Sequence, residues 1–498
     1  MSTRPIVHYL FLVSAVLFPL VSSAQLRLSA EEATEDLHCL QRALEYVHPR
    51  LYKYTSKDSL DRRFTNAHQQ CSAGISGLDF LASVRGINAA VNCGHLYTIP
   101  QAELREEVVL KKVMPFRVKV IEDRLYLVYN CADERSIPNG SEILSINGYR
   151  ANDILHTLQA AIATDGYIQT RKNRLIERSY SSTSYGFDHY FHLHISRSDT
   201  FVVEALTPQS GQPIKHSLVS IEREERRQRQ MDRYGFDENA WFLEPSPQFT
   251  VAEDTSYALL SLPRSFYDEK VDPNFDSLLL DAFTRLQKDQ IPNLILDLRN
   301  NEGGSEHHEM ELLSYLVNKP VKLYDHIFLK TLDYRPLRDI IIERDSSMLV
   351  FNNDDEYMRR FSNDLWINNY EYSRNLRVQE SKPEVFQGQL YVLINGITFS
   401  SAGDLAAALR KQSAAIFIGE ESGGAFEGPT GGTSIVVELP HSKIMVRISP
   451  QIHLSAGYKQ HPFGRGVLPD HQIQYTIEDV LSQRDLELEK ALALINNN

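Results

Sequence analysis

Three near-continuous apolar runs constrain this chain most: Leu294-Ile295-Leu296-Asp297-Leu298, Leu390-Tyr391-Val392-Leu393-Ile394 and Ala415-Ile416-Phe417-Ile418. A strand with apolar side chains on both faces must be covered on both, which is the condition of a parallel sheet between helices. Helical periodicity falls where such a sheet needs it, over Phe275–Gln287 and at Ala402, Leu405, Ala406 and Leu409. Residues 251–498 therefore read as an α/β unit. Within it, Ser434–Leu439 and Lys443–Ile448 form a hairpin around Pro440-His441-Ser442, and Leu488, Leu492 and Ile495 face one side of a closing helix.

The first 24 residues stand apart. Arg4, an apolar run from Tyr9 to Val21 and the small residues Ser22-Ser23-Ala24 before Gln25 have the form of a secretory signal cleaved near Ala24. The run is short for a bilayer span, and no later stretch is apolar enough for one. Export to a periplasmic or extracellular space is the expectation. With 52 Lys+Arg against 65 Asp+Glu, a net charge of −13, there is no basic surplus to bind nucleic-acid phosphates.

Residues 25–105 read as helical. Ser29 and Glu32 have capping-box spacing, Leu37, Leu40, Leu44 and Val47 share one face, and Pro49 ends that helix. Further helices are expected over Leu60–Gln70 and Leu78–Val91. Residues 106–207 alternate as strands, with turns at Glu122-Asp123, Gly140 and Asn147-Gly148, and resemble the β-rich pattern of PDZ domains without a Gly-Leu-Gly-Phe-type loop. Residues 208–250 read as a linker, and its charged run Glu222–Arg233 as a solvated helix. Export permits disulfides. Cys39, Cys71, Cys93 and Cys131 are too widely spaced for a CxxC zinc site. Cys39 and Cys71 are expected to pair across a helix hairpin, buried free thiols being the alternative.

Two strand–turn–helix units carry the candidate chemistry. The strand ending at Leu298 runs into Arg299-Asn300-Asn301-Glu302-Gly303-Gly304 before a helix near Ser305, a loop whose N–H groups can face a developing oxyanion. The strand Leu390–Ile394 runs into Asn395-Gly396-Ile397-Thr398-Phe399-Ser400, placing Ser400 at a helix N-terminus beyond the carboxyl end of a parallel strand, where open α/β sheets hold ligands. A serine there is either a nucleophile or a helix cap. The Gly-x-Ser-x-Gly pattern is absent. His307-His308-Glu309 and Glu311 do not make His-Glu-x-x-His, and no metal or cofactor is expected.

Taken together, residues 292–304, 390–440 and Gly466-Val467-Leu468-Pro469-Asp470 resemble the catalytic domain of the tail-specific, or C-terminal processing, serine peptidases, with a closer likeness to the tricorn-core-like and retinoid-binding-protein-like branch. The likeness extends through the helical start and the PDZ-like middle. It implies a crotonase/Clp-like α/β core that hydrolyses peptide bonds in peptides or unfolded polypeptide. It also implies Ser400 as nucleophile, Gly303 or Gly304 as one oxyanion donor and the Ser401 N–H as the other. Ala425 stands where the processing peptidases carry a lysine, so a Ser–Lys dyad is not supported. His95, before the PDZ-like segment, occupies the place of the histidine base of the tricorn-like branch. The glutamate of that branch is not evident at Pro462-Phe463-Gly464-Arg465, which leaves the third member of a triad unassigned. The rival reading is a peptide-binding protein on a catalytically degenerate peptidase scaffold. An acyl-CoA enzyme on the same core is disfavoured by the export signal.

Overall fold

The computed structural model describes residues 25–178, 186–208, 211–235, 246–267, 274–342, 357–371 and 373–497; the signal expected at 1–24 lies outside them. The apolar strand Asn293–Asp297 pairs in parallel with Ala258–Ser261 on one side and Gln389–Ile394 on the other. The sheet continues through Ile416–Gly419 to His471–Gln472, and Gln248–Val251 joins its far edge antiparallel. Alternation along the strand explains why both faces are apolar. Leu294 and Leu296 enter the main core with Leu279, Phe283, Leu312 and Leu405, from the helices Phe275–Lys288, Glu306–Leu316 and Ser401–Gln412. Ile295 points the other way, to Tyr391, Leu393 and Ile418, against Ala491 and Ile495 of the closing helix Leu486–Asn496. A second, antiparallel sheet runs Met358–Arg360, Trp366–Asn368, Tyr324–Leu329, Gln451–Ser455 and Thr430–Gly431.

The N-terminal helices are Ala30–Val47, with the Ser29–Glu32 capping box in place, Lys57–Cys71 and Gly77–Ala90. Their apolar faces share one core with Val437, Ile444 and Val446 of the hairpin Ile435–Glu438/Met445–Ile448. Strand Tyr97–Ile99 adds to that hairpin as a third strand. The buried Asp36 carboxylate accepts the N–H groups of His441 (2.9 Å) and Ser442 (2.8 Å), tying the first helix to the hairpin turn. This packing carries residues 93–96 onto the half that holds the parallel sheet.

The middle unit is an antiparallel sheet in the order Pro213–Val219, Thr200–Leu206, Glu142–Ile146, Arg124–Val128, Arg117–Ile121, with helices Ala151–Ala160, Gln169–Glu177 and Phe187–His194. It does not stop at 207. Strand Pro213–Val219 lies in the stretch read as linker and pairs along its whole length with Thr200–Leu206. The charged helix Arg223–Tyr234 is likewise not simply solvated. Arg226 is 0% exposed, and its guanidinium donates to Asp188 Oδ2 (2.7 Å) and to the carbonyls of Met114 (3.1 Å) and Phe116 (3.4 Å). Composition marks such a run as surface, but a buried carboxylate and orphan carbonyls can hold a guanidinium inside.

The expected Cys39–Cys71 bridge is absent: all four cysteines are free thiols. The rings of His38 and His68 meet at a tilt with centroids 5.1 Å apart, which sets Cys39 about level with residue 67 across the helix pair. Cys71 is then four residues further, about 6 Å along the axis, too far out of step for the short reach of a disulfide. Thermal unfolding with and without a thiol reductant is expected to give the same midpoint; a lower midpoint on reduction would restore a disulfide.

Candidate active site

Two loops at the carboxyl ends of neighbouring strands are zipped together by their own asparagines and threonine. Asn395 Oδ1 accepts the N–H of Asn300 (2.9 Å) and of Ile397 (3.0 Å), and its Nδ2 donates to Asn300 Oδ1 (2.9 Å). Thr398 Oγ1 donates to Leu298 O (2.8 Å), and Phe399 N–H to Asn301 O (3.0 Å). These bonds present Ser400 at the start of the helix Ser401–Gln412. Its backbone has φ +53° and ψ −132°, a left-handed conformation that costs an ordinary residue energy and concentrates at functional sites. Ser400 stands at the cap position, yet its side chain makes no capping bond.

The hydroxyl instead faces His95, with Ser400 Oγ 3.0 Å from His95 Nε2 across 305 residues of sequence. The His95 ring stacks on Phe399 at 4.6 Å. Gly94 permits this approach, because a Cβ there would lie 2.7 Å from the Phe399 ring. Burial, with the cations Arg171 and Arg447 nearby, pushes the His95 pKa down to about 3, so the imidazole is neutral at pH 7. Its Nδ1 is buried without a hydrogen-bond partner among the described residues. The buried Asp165 carboxylate braces the loop by accepting Gly94 N–H (2.7 Å) and Ala425 N–H (3.4 Å). Ala425, in the lysine's place, is thus a backbone anchor.

Gly303 and Gly304 border the serine as expected. At Gly303 (φ +86°) a Cβ would meet Ser401 N at 2.7 Å and Ser400 Cβ at 2.8 Å. Their N–H groups, however, are engaged: Gly303 donates to Asn301 Oδ1 (2.8 Å) and Gly304 to Ser401 Oγ (2.8 Å). The Ser401 N–H, in the first turn of its helix, has no partner among the described residues. Behind this loop lies Glu309, which the sequence brought forward only for a metal motif that it does not complete. It accepts hydrogen bonds from Ser265 and, at 3.3 Å, from Ser401 Oγ, while Ser265 also accepts from Asn301 Nδ2 (3.0 Å). Burial lifts the Glu309 carboxyl to about 7. Its neighbour His308 is bonded through Nδ1 to Ser265 O (3.2 Å), and Glu311 pairs with Lys382. Asp165 and Glu309 gave no sequence signal because each acts through a partner distant in the chain, at separations of 71 and 92 residues.

A parallel α/β core here presents a serine to a neutral, buried imidazole, a pairing that serine peptidases use. Residues 258–473 match the model of Peptidase family S41. Over 94% of the chain the fold is similar to the crystal structure of mature CPAF, at TM-score 0.60 and 16% identity, covering 98% of that structure. The structure of mature CPAF complexed with lactacystin gives TM-score 0.59 and 17% identity over 94% of this chain and 99% of that one. The photosystem II D1 C-terminal processing protease matches at TM-score 0.37 and 15% identity over 89% and 93% of the two chains. No curated protein sequence matches.

Proposed function

We propose that this serine peptidase is exported and cuts peptides or unfolded polypeptide with Ser400 as nucleophile and His95 as base. The 3.0 Å approach of Ser400 Oγ to His95 Nε2 carries the reading. With its own proton on Nδ1, the imidazole accepts the serine proton as Oγ attacks the scissile carbonyl carbon. The carbonyl π bond opens to an oxyanion, held by the Ser401 N–H and by a Gly303 or Gly304 N–H released from its present partner. The imidazolium then protonates the leaving amine, the C–N bond breaks, and water attacks the ester by the same route in reverse. Export rests on the leader at 1–24 and would be read from the N-terminus of the secreted protein, expected at Gln25.

The Nδ1, unpartnered among the described residues, favours a rival, a peptide-binding protein on the same scaffold, because none of those residues offers it a hydrogen-bonded carboxylate. A serine-directed phosphonate decides between them. Stoichiometric labelling at Ser400 is expected, whereas folded protein that stays unlabelled would overturn the peptidase mechanism in favour of the binding protein.

A further inference from the structure

Beside the Ser400–His95 pair lies a cavity of about 190 Å³. It touches the reacting groups through their immediate neighbours. Gly94, which precedes His95, lines it, and so does Arg171, whose guanidinium sits 3.6 Å from the ring centre of Phe399, the residue before Ser400. Arg85, Asn88 and Glu302 supply the other polar wall, and Ile162 and Leu175 are among the apolar residues.

Arg171 is unusual in this setting. It is 4% exposed, and its Nε and Nη1 have no hydrogen-bond partner among the described residues, nor does the buried Asn88 Oδ1. The neighbouring anion is Glu302, 3.6 Å from Nη2, half exposed and shared with Arg178 at 2.9 Å. A buried guanidinium left with a remote, divided counter-ion is costly, and a hydrogen-bonding carboxylate would relieve it. Asn88 Nδ2 donates to Thr98 Oγ1 (2.8 Å). Arg85, packed against the imidazole of His189, adds a second positive charge to the lining.

We propose that this cavity is a substrate subsite for an acidic side chain, an aspartate or glutamate next to the scissile bond, with Arg171 as its recognition residue. The proposal rests on the peptidase reading of Ser400 and His95. The apolar walls receive the methylene stem and Arg171 the carboxylate, in place of its long contact with Glu302. The same occupancy acts on the chemistry. Arg171 is one of the cations opposing a charge on His95, so a carboxylate paired with it eases formation of the imidazolium during attack. Discrimination is therefore expected in kcat as well as KM.

Internally quenched peptides capped at both ends, identical except for Glu or Gln at each position flanking the scissile bond, provide the test. Capping removes the terminal carboxylate as a source of negative charge. The wild-type protein is expected to favour Glu at one flanking position by about 10- to 100-fold in kcat/KM. Arg171→Met should bring the Glu/Gln ratio to about one, Arg171→Lys should restore part of it, and Glu302→Gln should raise it. Phosphonate labelling and casein hydrolysis on the same preparation separate the two levels of inference. If Ser400 is labelled and casein is cut while the wild-type Glu/Gln ratio is near one at every position, the acidic subsite is wrong and the peptidase reading stands. If Ser400 is not labelled, both fall. The wild-type ratio decides even if the Arg171 variants fail to fold.

Discussion

Ser400→Ala is expected to lower peptide hydrolysis by about four to six orders of magnitude while leaving the fold intact. Because the Ser400 hydroxyl does not cap its helix, its removal takes away only the contact with His95. The melting midpoint should hardly move. His95→Ala should match it in rate, since a serine without a proton acceptor and an acceptor without a serine are equally incomplete. The double variant should be no slower than either single one. His95→Ala should cost more stability, because it empties a stacked, buried position against Phe399. Turnover of a peptide substrate by purified variants measures this. Wild-type rates in Ser400→Ala, or losses that multiply in the double variant, would remove the pair from the mechanism.

Acid should weaken the protein modestly between pH 6.5 and 4.5 and steeply below pH 4.5, because two sets of buried groups oppose each other over the first range only. His48, His95 and His453 are pushed from 6.5 to about 3 by burial. The unfolded chain binds these protons first, so stability falls as pH drops below 6.5. At roughly 1.4 kcal/mol per group per pH unit, the three cost about 8 kcal/mol by pH 4.5. Glu306 and Glu309 are raised by burial from 4.5 to about 7, so the native state binds their protons first and stability rises over the same range. Those two offset about 5 kcal/mol by the same measure. Burial raises Asp165 and Asp404 as well, which adds to the offset, and lowers His189 and His194, which adds to the loss. Below 4.5 the glutamates are protonated in both states and their offset ends, while the histidines go on losing about 6 kcal/mol more down to pH 3. That is comparable to the whole stability of an ordinary domain. Tryptophan fluorescence against pH measures the transition. A loss as steep between pH 6.5 and 4.5 as below pH 4.5 would mean that the buried glutamates do not oppose the histidines.

Much of the local structure is legible in the sequence. Leu294–Leu298 and Leu390–Ile394 announce two-sided burial, Ser29 and Glu32 announce a helix start, and Asn-Gly and Gly-Gly pairs mark the turns that carry the site. These signals work because hydrophobic periodicity and capping are satisfied within a few residues. Ser400 is visible as a serine at a helix N-terminus, though nothing nearby separates a nucleophile from a cap; the φ of +53° and the missing capping bond make that distinction. The misread elements share one cause. Arg226 looked solvated and Cys39–Cys71 looked paired because the partners that decide each case come from other elements: Asp188 for the arginine, and the helix register marked by His38 and His68 for the thiols.

By itself, then, the sequence determined the parallel α/β core, the serine at its carboxyl edge and the absence of a lysine at position 425, since each is written in a contiguous run of residues. The tertiary structure alone decided the meeting of His95 with Ser400, the bracing of Gly94 by Asp165 and the buried Arg171 beside Phe399. The first two depend on strand Tyr97–Ile99 closing onto the hairpin at 435–448 and on a core shared by helices and hairpin more than 300 residues apart, the third on helix Gln169–Glu177 of the middle unit reaching Phe399. Packing of that kind has no local periodicity. It also sets the site's electrostatics, because exclusion of water by the folded chain, with Arg171 and Arg447 nearby, holds the His95 imidazole against protonation down to a pKa near 3.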